Sequence, residues 1–114
     1  MDLEFTRGDN VEFTIELVNN DGNQILLEDD DKLYMTVKKN SRDEEAIFQK
    51  KIGNGIEKTE DGKYLITILP EDTNGLDYGE YGYDIQLIAS GKKKTLGIYT
   101  INLTEEYTHV GNEV

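Results

Sequence analysis

The chain has 114 residues and a formal net charge of −12, with 24 Asp and Glu against 12 Lys and Arg. This length fits one domain, and the lack of cysteine excludes disulfides and thiolate metal sites. The acidic balance argues against nucleic acid as a partner, because phosphate contact needs a basic face. A membrane span is equally disfavoured, since no apolar run reaches roughly 18–20 residues.

Alternating apolar and polar residues predict short β-strands in the first half of the chain. The clearest alternation is Val11–Val18, which is followed by turn-forming Asn, Asp and Gly residues. In the predicted strand Ala46–Ile52, Phe48 and Ile52 share the inward face, and Lys50 and Lys51 indicate an edge strand. The other elements predicted here are strands at 2–6 and 33–39, an edge strand or covering loop at 24–27, an acidic loop at 28–31 and a polar loop at 40–45.

The second half continues with hairpin signals. Asp61-Gly62 separates two predicted strands, 56–58 and 64–69. Pro70 then predicts one helical turn, because its fixed φ and missing N–H suit the first helical position. The remaining elements are strands at 80–89 and 94–103, a turn at 90–92, a β-bulge at Gly97, and a flexible tail or linker at 105–114.

Seven to eight short strands with regularly spaced turns indicate an all-β fold. The pattern favours an immunoglobulin-like antiparallel β-sandwich over residues 1–104. No helical segment is long enough for a crossover between parallel strands, which disfavours α/β folds. The predicted core consists of Leu3, Phe5, Val11, Phe13, Ile15, Leu17, Met35, Val37, Phe48, Ile66, Ile68, Tyr81, Ile85, Leu87 and Ile101.

A tyrosine corner is predicted where the chain enters the strand at 80–89. Leu76, Gly79 and Tyr81 form an L-x-x-G-x-Y pattern after Pro70. In immunoglobulin-like sandwiches, a Tyr near the start of a late strand donates a hydroxyl hydrogen bond to the backbone a few residues upstream. We therefore expect Tyr81 to be buried and to tie the preceding crossover to the sheet, the alternative being an ordinary core tyrosine.

Several short motifs together resemble a known family. They are the F-x-R-G-D run Phe5–Asp9, the turn Asp21–Asn23, the P-E-D-T-x-x-L-x-x-G-x-Y-x-Y-D-I run Pro70–Ile85 and the G-x-Y-x-I ending Gly97–Ile101. The chain resembles, from about residue 2 to 103, the small immunoglobulin-like domains of tailed-bacteriophage structural proteins. The nearest are of the N-terminal type of the baseplate upper protein, in phages and prophages of Gram-positive bacteria.

The resemblance implies a virion structural module of a tail or baseplate, with other virion proteins or copies of itself as partners. It implies no enzyme activity and no cofactor. The N-terminus lacks the basic start and apolar stretch of a secretion signal, which agrees with assembly in the host cytoplasm and a final location in the virion.

Exposed aromatic and basic residues are the candidate interface. Tyr34 and Tyr78 are predicted to face solvent, and Tyr is common in interface hot spots. Lys92, Lys93 and Lys94 form a basic spot at a hairpin tip on an acidic protein. These lysines either form a solvated turn or contact an acidic patch on a neighbouring molecule.

Other motifs carry less functional information. Arg7-Gly8-Asp9 matches an integrin-binding tripeptide but is ordinary turn chemistry. Glu28–Asp31 could bind Ca²⁺, yet it lacks the EF-hand order and is expected to be solvated. His109 falls in the predicted tail, and no Ser has a nucleophile-elbow context, so no catalytic residue is assigned.

Two alternative functions remain open on the same fold. One is a carbohydrate- or host-receptor-binding module, in which Tyr34 would form part of the sugar-binding face. The other is a surface-adhesion domain exported from the cell. Binding to glycans that requires Tyr34 would favour the first, and a secretion signal on a longer reading frame would favour the second.

Overall fold

The structure, a computed structural model, describes residues 1–107 and confirms the all-β class. Eight strands and one helical turn form this part of the chain, so the predicted number of strands is also correct. The elements are β1 (Leu3–Thr6), β2 (Val11–Ile15), β3 (Lys32–Lys38), β4 (Phe48–Ile52), β5 (Gly55–Lys58), β6 (Tyr64–Ile68), α1 (Pro70–Thr73), β7 (Gly79–Ala89) and β8 (Lys92–Thr104).

The eight strands form one mixed sheet in the order β1-β8-β7-β3-β4-β5-β6-β2. The pairs β1–β8 and β4–β5 are parallel, whereas the other neighbours are antiparallel. The two end strands, β1 and β2, are consecutive in the chain and are joined by the short turn at residues 7–10. The sheet therefore curls until its edges approach each other, and the result is a nearly closed, barrel-like arrangement.

The predicted core residues lie in the interior or pack against it. Ile56 and Tyr64, which the predicted core omitted, are also fully buried. Alternation along the strands gives this result, because every second side chain of β3, β6 and β7 points inward. The predicted residues that are only partly buried lie in β1, β2 and β4: Leu3, Phe5, Val11, Phe13, Ile15 and Phe48.

Strand β4 corrects two predictions. Ile52 is 40% exposed, and Lys50 is only 6% exposed, so the predicted inward position of Ile52 is wrong. β4 is also not an edge strand, since β3 and β5 lie on its two sides. Lys50 is buried because its side chain crosses Gly55 and its Nζ forms an ion pair with Asp72 of α1 at 2.6 Å.

Segment 24–27 is a covering loop, and it contributes only an isolated bridge between Val18 and Gln24. β2 accordingly ends at Ile15, three residues before the predicted boundary at Val18. The loop is fixed by the Tyr64 hydroxyl, which accepts a hydrogen bond from the Leu27 N–H at 2.9 Å. This bond explains why a tyrosine can be fully buried at the start of β6.

The predicted bulge in β8 is present. The register of β7 against β8 shifts between Ile85 and Gln86, which lie opposite Gly97 and Thr95, so Leu96 is the additional residue. After the bulge, Ile98 points away from the interior and is 79% exposed. The bulge therefore separates a basic first part of β8 from a second part that belongs to the core.

Candidate interaction surface

Tyr81 forms the predicted corner. Its ring is 4% exposed, and its hydroxyl donates a hydrogen bond of 2.7 Å to the Asp77 carbonyl oxygen. Burial raises the pKa of Tyr81 above its usual value. Gly79 has a φ of +118°, which permits the sharp entry into β7. The Lys39 ammonium lies 4.4 Å from the centre of the Tyr81 ring and covers it on the outer side.

The other two residues predicted for the corner lie just upstream of it. Pro70 begins α1, and its carbonyl oxygen accepts a hydrogen bond from the Asn74 N–H at 3.0 Å. Leu76 packs against the core, and its N–H bonds to the Thr73 carbonyl oxygen at 3.0 Å. The crossover between β6 and β7 is thus a hydrogen-bonded turn that leads directly into the tyrosine corner.

Arg7 joins three parts of the chain at this end of the sheet. Its Nη1 donates to the Leu76 carbonyl oxygen at 2.8 Å, and its Nη2 lies 2.7 Å from Glu106 Oε1. Its guanidinium also lies 4.2 Å from the centre of the Tyr78 ring. The hydrogen bond to Glu106 raises the pKa of Arg7. The turn interpretation of Arg7-Gly8-Asp9 is therefore confirmed, because the Asp9 N–H bonds to the Thr6 carbonyl oxygen at 3.1 Å.

The candidate interface residues do not come together in one patch. Gly79, next to Tyr78, pairs with Leu103 at one end of the β7–β8 ladder, and Ala89 pairs with Lys92 at the other end. Tyr78 is 39% exposed under Arg7. Tyr34 is half-buried on the outer face of β3, in register with Lys51 of β4. The lysines at 92–94 are exposed.

A groove lies between β2 and β8 in the described part of the chain. β1 covers β8 only from Ile101 to Thr104, and the strand pairing places no other strand of residues 1–107 on that side of β8. β2 pairs with β6 alone. The space left between the two edges has a volume of about 470 Å³. Apolar side chains form most of its wall, among them Phe13, Ile15, Leu17, Ile85, Leu96 and Tyr99.

Polar groups lie at the border of this β2–β8 groove. Glu16, directly after β2, and Lys94 of β8 line it from opposite sides. Tyr83 lies beneath it, stacks against Tyr99 at 5.4 Å between ring centres, and donates its hydroxyl hydrogen to the Met1 carbonyl oxygen. Burial raises the pKa of Tyr83 to about 12. The groove thus offers an apolar floor with charged groups only at its rim.

The sequence did not reveal the β2–β8 groove, because its wall is made of residues with the pattern of a core. Alternation shows which face of a strand points inward, but it does not show whether a neighbouring strand covers that face. The predicted strands 2–6 and 94–103 already differ in length, and in the structure β1 has four residues and β8 has thirteen.

In the described part of the chain, no three His, Cys, Asp or Glu residues are arranged to hold a metal ion, and Glu28–Asp31 is no exception. None of the helical structure at residues 1–107 has the length and apolar character to cross a membrane. His109 lies outside the described residues, and the tail at 105–114 stays a prediction, although Glu106 bonds to Arg7.

No protein-family model matches the chain, and no curated protein matches it significantly.

Replacing Tyr81 by Phe tests the corner. This change removes the hydrogen bond from the Tyr81 hydroxyl to the part-buried Asp77 carbonyl oxygen, so we expect the free energy of unfolding to fall by about 1 kcal/mol. Tyr99→Phe is the matched control, since within residues 1–107 the Tyr99 hydroxyl has no hydrogen bond. We expect it to change stability by no more than about 0.5 kcal/mol in urea unfolding. Equal effects of the two changes would contradict the corner.

The raised pKa of Tyr83 leads us to expect a loss of stability at alkaline pH. An unfolded tyrosine titrates near pH 10, whereas burial raises the pKa of Tyr83 to about 12 in the fold. The unfolded state therefore loses its proton first, and stability falls as the pH rises from about 10 towards 12. We expect a shallower fall for Tyr83→Phe in urea unfolding at a series of pH values. Parallel curves for the two proteins would contradict this assignment.

Proposed function

We propose that the chain is an immunoglobulin-like, non-catalytic docking module that acts through protein–protein contacts. The β2–β8 groove carries this proposal. Soluble proteins normally cover or charge the free edges of a sheet, because such edges pair with other chains. Here two free edges flank an apolar surface, a combination typical of a binding site for another protein.

The immunoglobulin-like assignment has two supports. Tyr81 bonds to Asp77 at the entry to β7, as in the corner of such sandwiches. The strand order also divides into β1-β8-β7-β3-β4 and β5-β6-β2. Only two residue pairs, Lys51 with Gly55 and Ile52 with Ile56, join these two parts. This division is the one expected where two packed sheets share a short connection.

A role without catalysis agrees with the chemistry of the groove. Its titratable side chains are Glu16, Lys94 and the two tyrosines Tyr83 and Tyr99, around an apolar floor. This set contains no nucleophile held by a base, which acyl or glycosyl transfer would require.

We further propose that the module belongs to the tail or baseplate of a phage or prophage particle. Its support is the motif resemblance together with the way two of the motifs meet in space. Arg7 from the F-x-R-G-D run binds the Leu76 carbonyl oxygen and lies against Tyr78, both within the Pro70–Ile85 run. Two motifs that are distant in sequence thus form one structural unit.

The location of the protein in induced cultures tests this role. Particles should be purified after prophage induction and analysed by quantitative mass spectrometry. We expect the protein to copurify with the particles at a fixed ratio to the tail proteins, through washes that remove host proteins.

A strain that lacks the gene is the control, and we expect it to yield incomplete tails. Absence of the protein from washed particles would contradict the virion role. Binding of the pure protein to a glycan array, lost in Tyr34→Ala, would favour the carbohydrate-binding alternative.

A further inference from the structure

We propose that the β2–β8 groove binds an extended acidic segment of a partner protein, which adds as a strand to the free edge of β8. The inference deepens the proposed docking function by assigning the mode of binding and the chemistry of the partner. It rests on the proposed docking function only because the occupant of the β2–β8 groove must be a protein.

The backbone of β8 has hydrogen-bonding groups available on this edge. The Thr104 carbonyl oxygen accepts a bond from the Arg7 N–H at 3.1 Å, and the Thr100 N–H bonds to Asp2 Oδ1 at 3.0 Å. Both groups point towards the β1 side. Because residues of a strand point alternately to its two neighbours, the N–H and carbonyl oxygen of Ile98 face the same side. β1, however, begins at Leu3 opposite Ile101 and does not reach Ile98.

β1 shows that this edge of β8 accepts a strand. Leu3 to Thr6 pair in parallel with Ile101 to Thr104. A partner strand placed in line with β1 would continue the same ladder along the first part of β8. Its alternate apolar side chains would lie over the groove, on the surface formed by Phe13, Ile15 and Leu96.

The charge of this edge indicates an acidic partner. Lys92, Lys93 and Lys94 are exposed, and no ion pair engages them within residues 1–107. They are three of only 12 basic residues in a chain with a net charge of −12. Asp2 already places a carboxylate on the β8 edge, where it accepts the Thr100 N–H. An acidic segment would therefore find complementary charge on the β8 side of the groove, whereas Glu16 would repel it on the β2 side.

Two synthetic peptides of about seven residues, a usual strand length, test the inference directly. One alternates Val with Asp, and the other alternates Val with Lys. We expect the acidic peptide to bind roughly tenfold more tightly at low salt and more weakly as salt increases. In NMR titrations, the affected amides should be those of β8 from Lys94 to Ile98. Equal affinity of the two peptides, or no binding of either, would overturn the proposal.

Variants at Ile98 separate strand addition from simple contact. Ile98→Pro removes the outward N–H at an edge position, where proline is tolerated in a sheet. Ile98→Ala keeps this N–H and is the matched control. We expect the proline variant to lose binding roughly tenfold and the alanine variant to stay within about threefold of the parent. Circular dichroism checks that both variants are folded. Equal binding by the two variants would overturn strand addition.

Charge reversal identifies the basic determinant. We expect Lys94→Glu to abolish the preference for the acidic peptide, whereas Lys58→Glu, a change at an exposed lysine on β5, should retain it.

Sedimentation of the pure protein tests whether the occupant of the groove is a second copy of the chain. If the chain dimerises and Ile98→Pro abolishes the dimer, the occupant is a second copy and the proposal is wrong. Failure of the peptide tests would leave copurification with particles unaffected, so the two proposals can fail separately.

Discussion

The difference in length between β1 and β8 determines which part of the β8 edge is paired and which part is left free. A sheet closes into a barrel only where its two edge strands pair, and no pairing joins the edge strands β1 and β2 within residues 1–107. β1 has four residues, and β8 beside it has thirteen. At the closed end β1 therefore pairs with β8 from Ile101 to Thr104, whereas at the open end the β8 edge is left free and borders the β2–β8 groove.

The closed end is stabilised by contacts between distant parts of the chain. Arg7 follows β1 directly and binds both the crossover before β7 and Glu106 after β8. Tyr81 fixes the same crossover from inside through Asp77. These bonds hold the short strand β1 in place, because they anchor the turn at its end. The open end has no equivalent network in the described residues, and its polar groups remain available for a partner.

The sequence was sufficient for the class of fold, the bulge beside Gly97, the helical turn at Pro70 and the hydrogen bond of Tyr81. Each of these depends on local chemistry or on strict alternation, which a single sequence contains. Lys50 was predicted on an edge strand because its charge suggested solvent, but Asp72, 22 residues away, pairs with it. Ile52 was placed inward by the alternation along β4, but it is the last residue of that strand and is 40% exposed. Such outcomes depend on contacts between segments, which alternation does not encode.

The candidate site was predicted only in part. Lys94 belongs to the groove, whereas Tyr34 and Tyr78 lie elsewhere on the sheet. Much of the remaining wall was assigned to the core, since Phe13, Ile15 and Leu17 have the same apolar pattern as covered residues. Whether such residues are covered depends on how far the neighbouring strand extends, and β1 extends along β8 only from Ile101 to Thr104.

Amide hydrogen exchange resolved by residue tests the central claim that the β8 edge is open beyond β1. By the alternation of the strand, the N–H groups of both Ile98 and Asn102 point to this edge, but only Asn102 lies opposite β1. We expect rapid exchange at Ile98 and strong protection at Asn102 in the isolated protein. Equal, strong protection of the two amides would contradict this account.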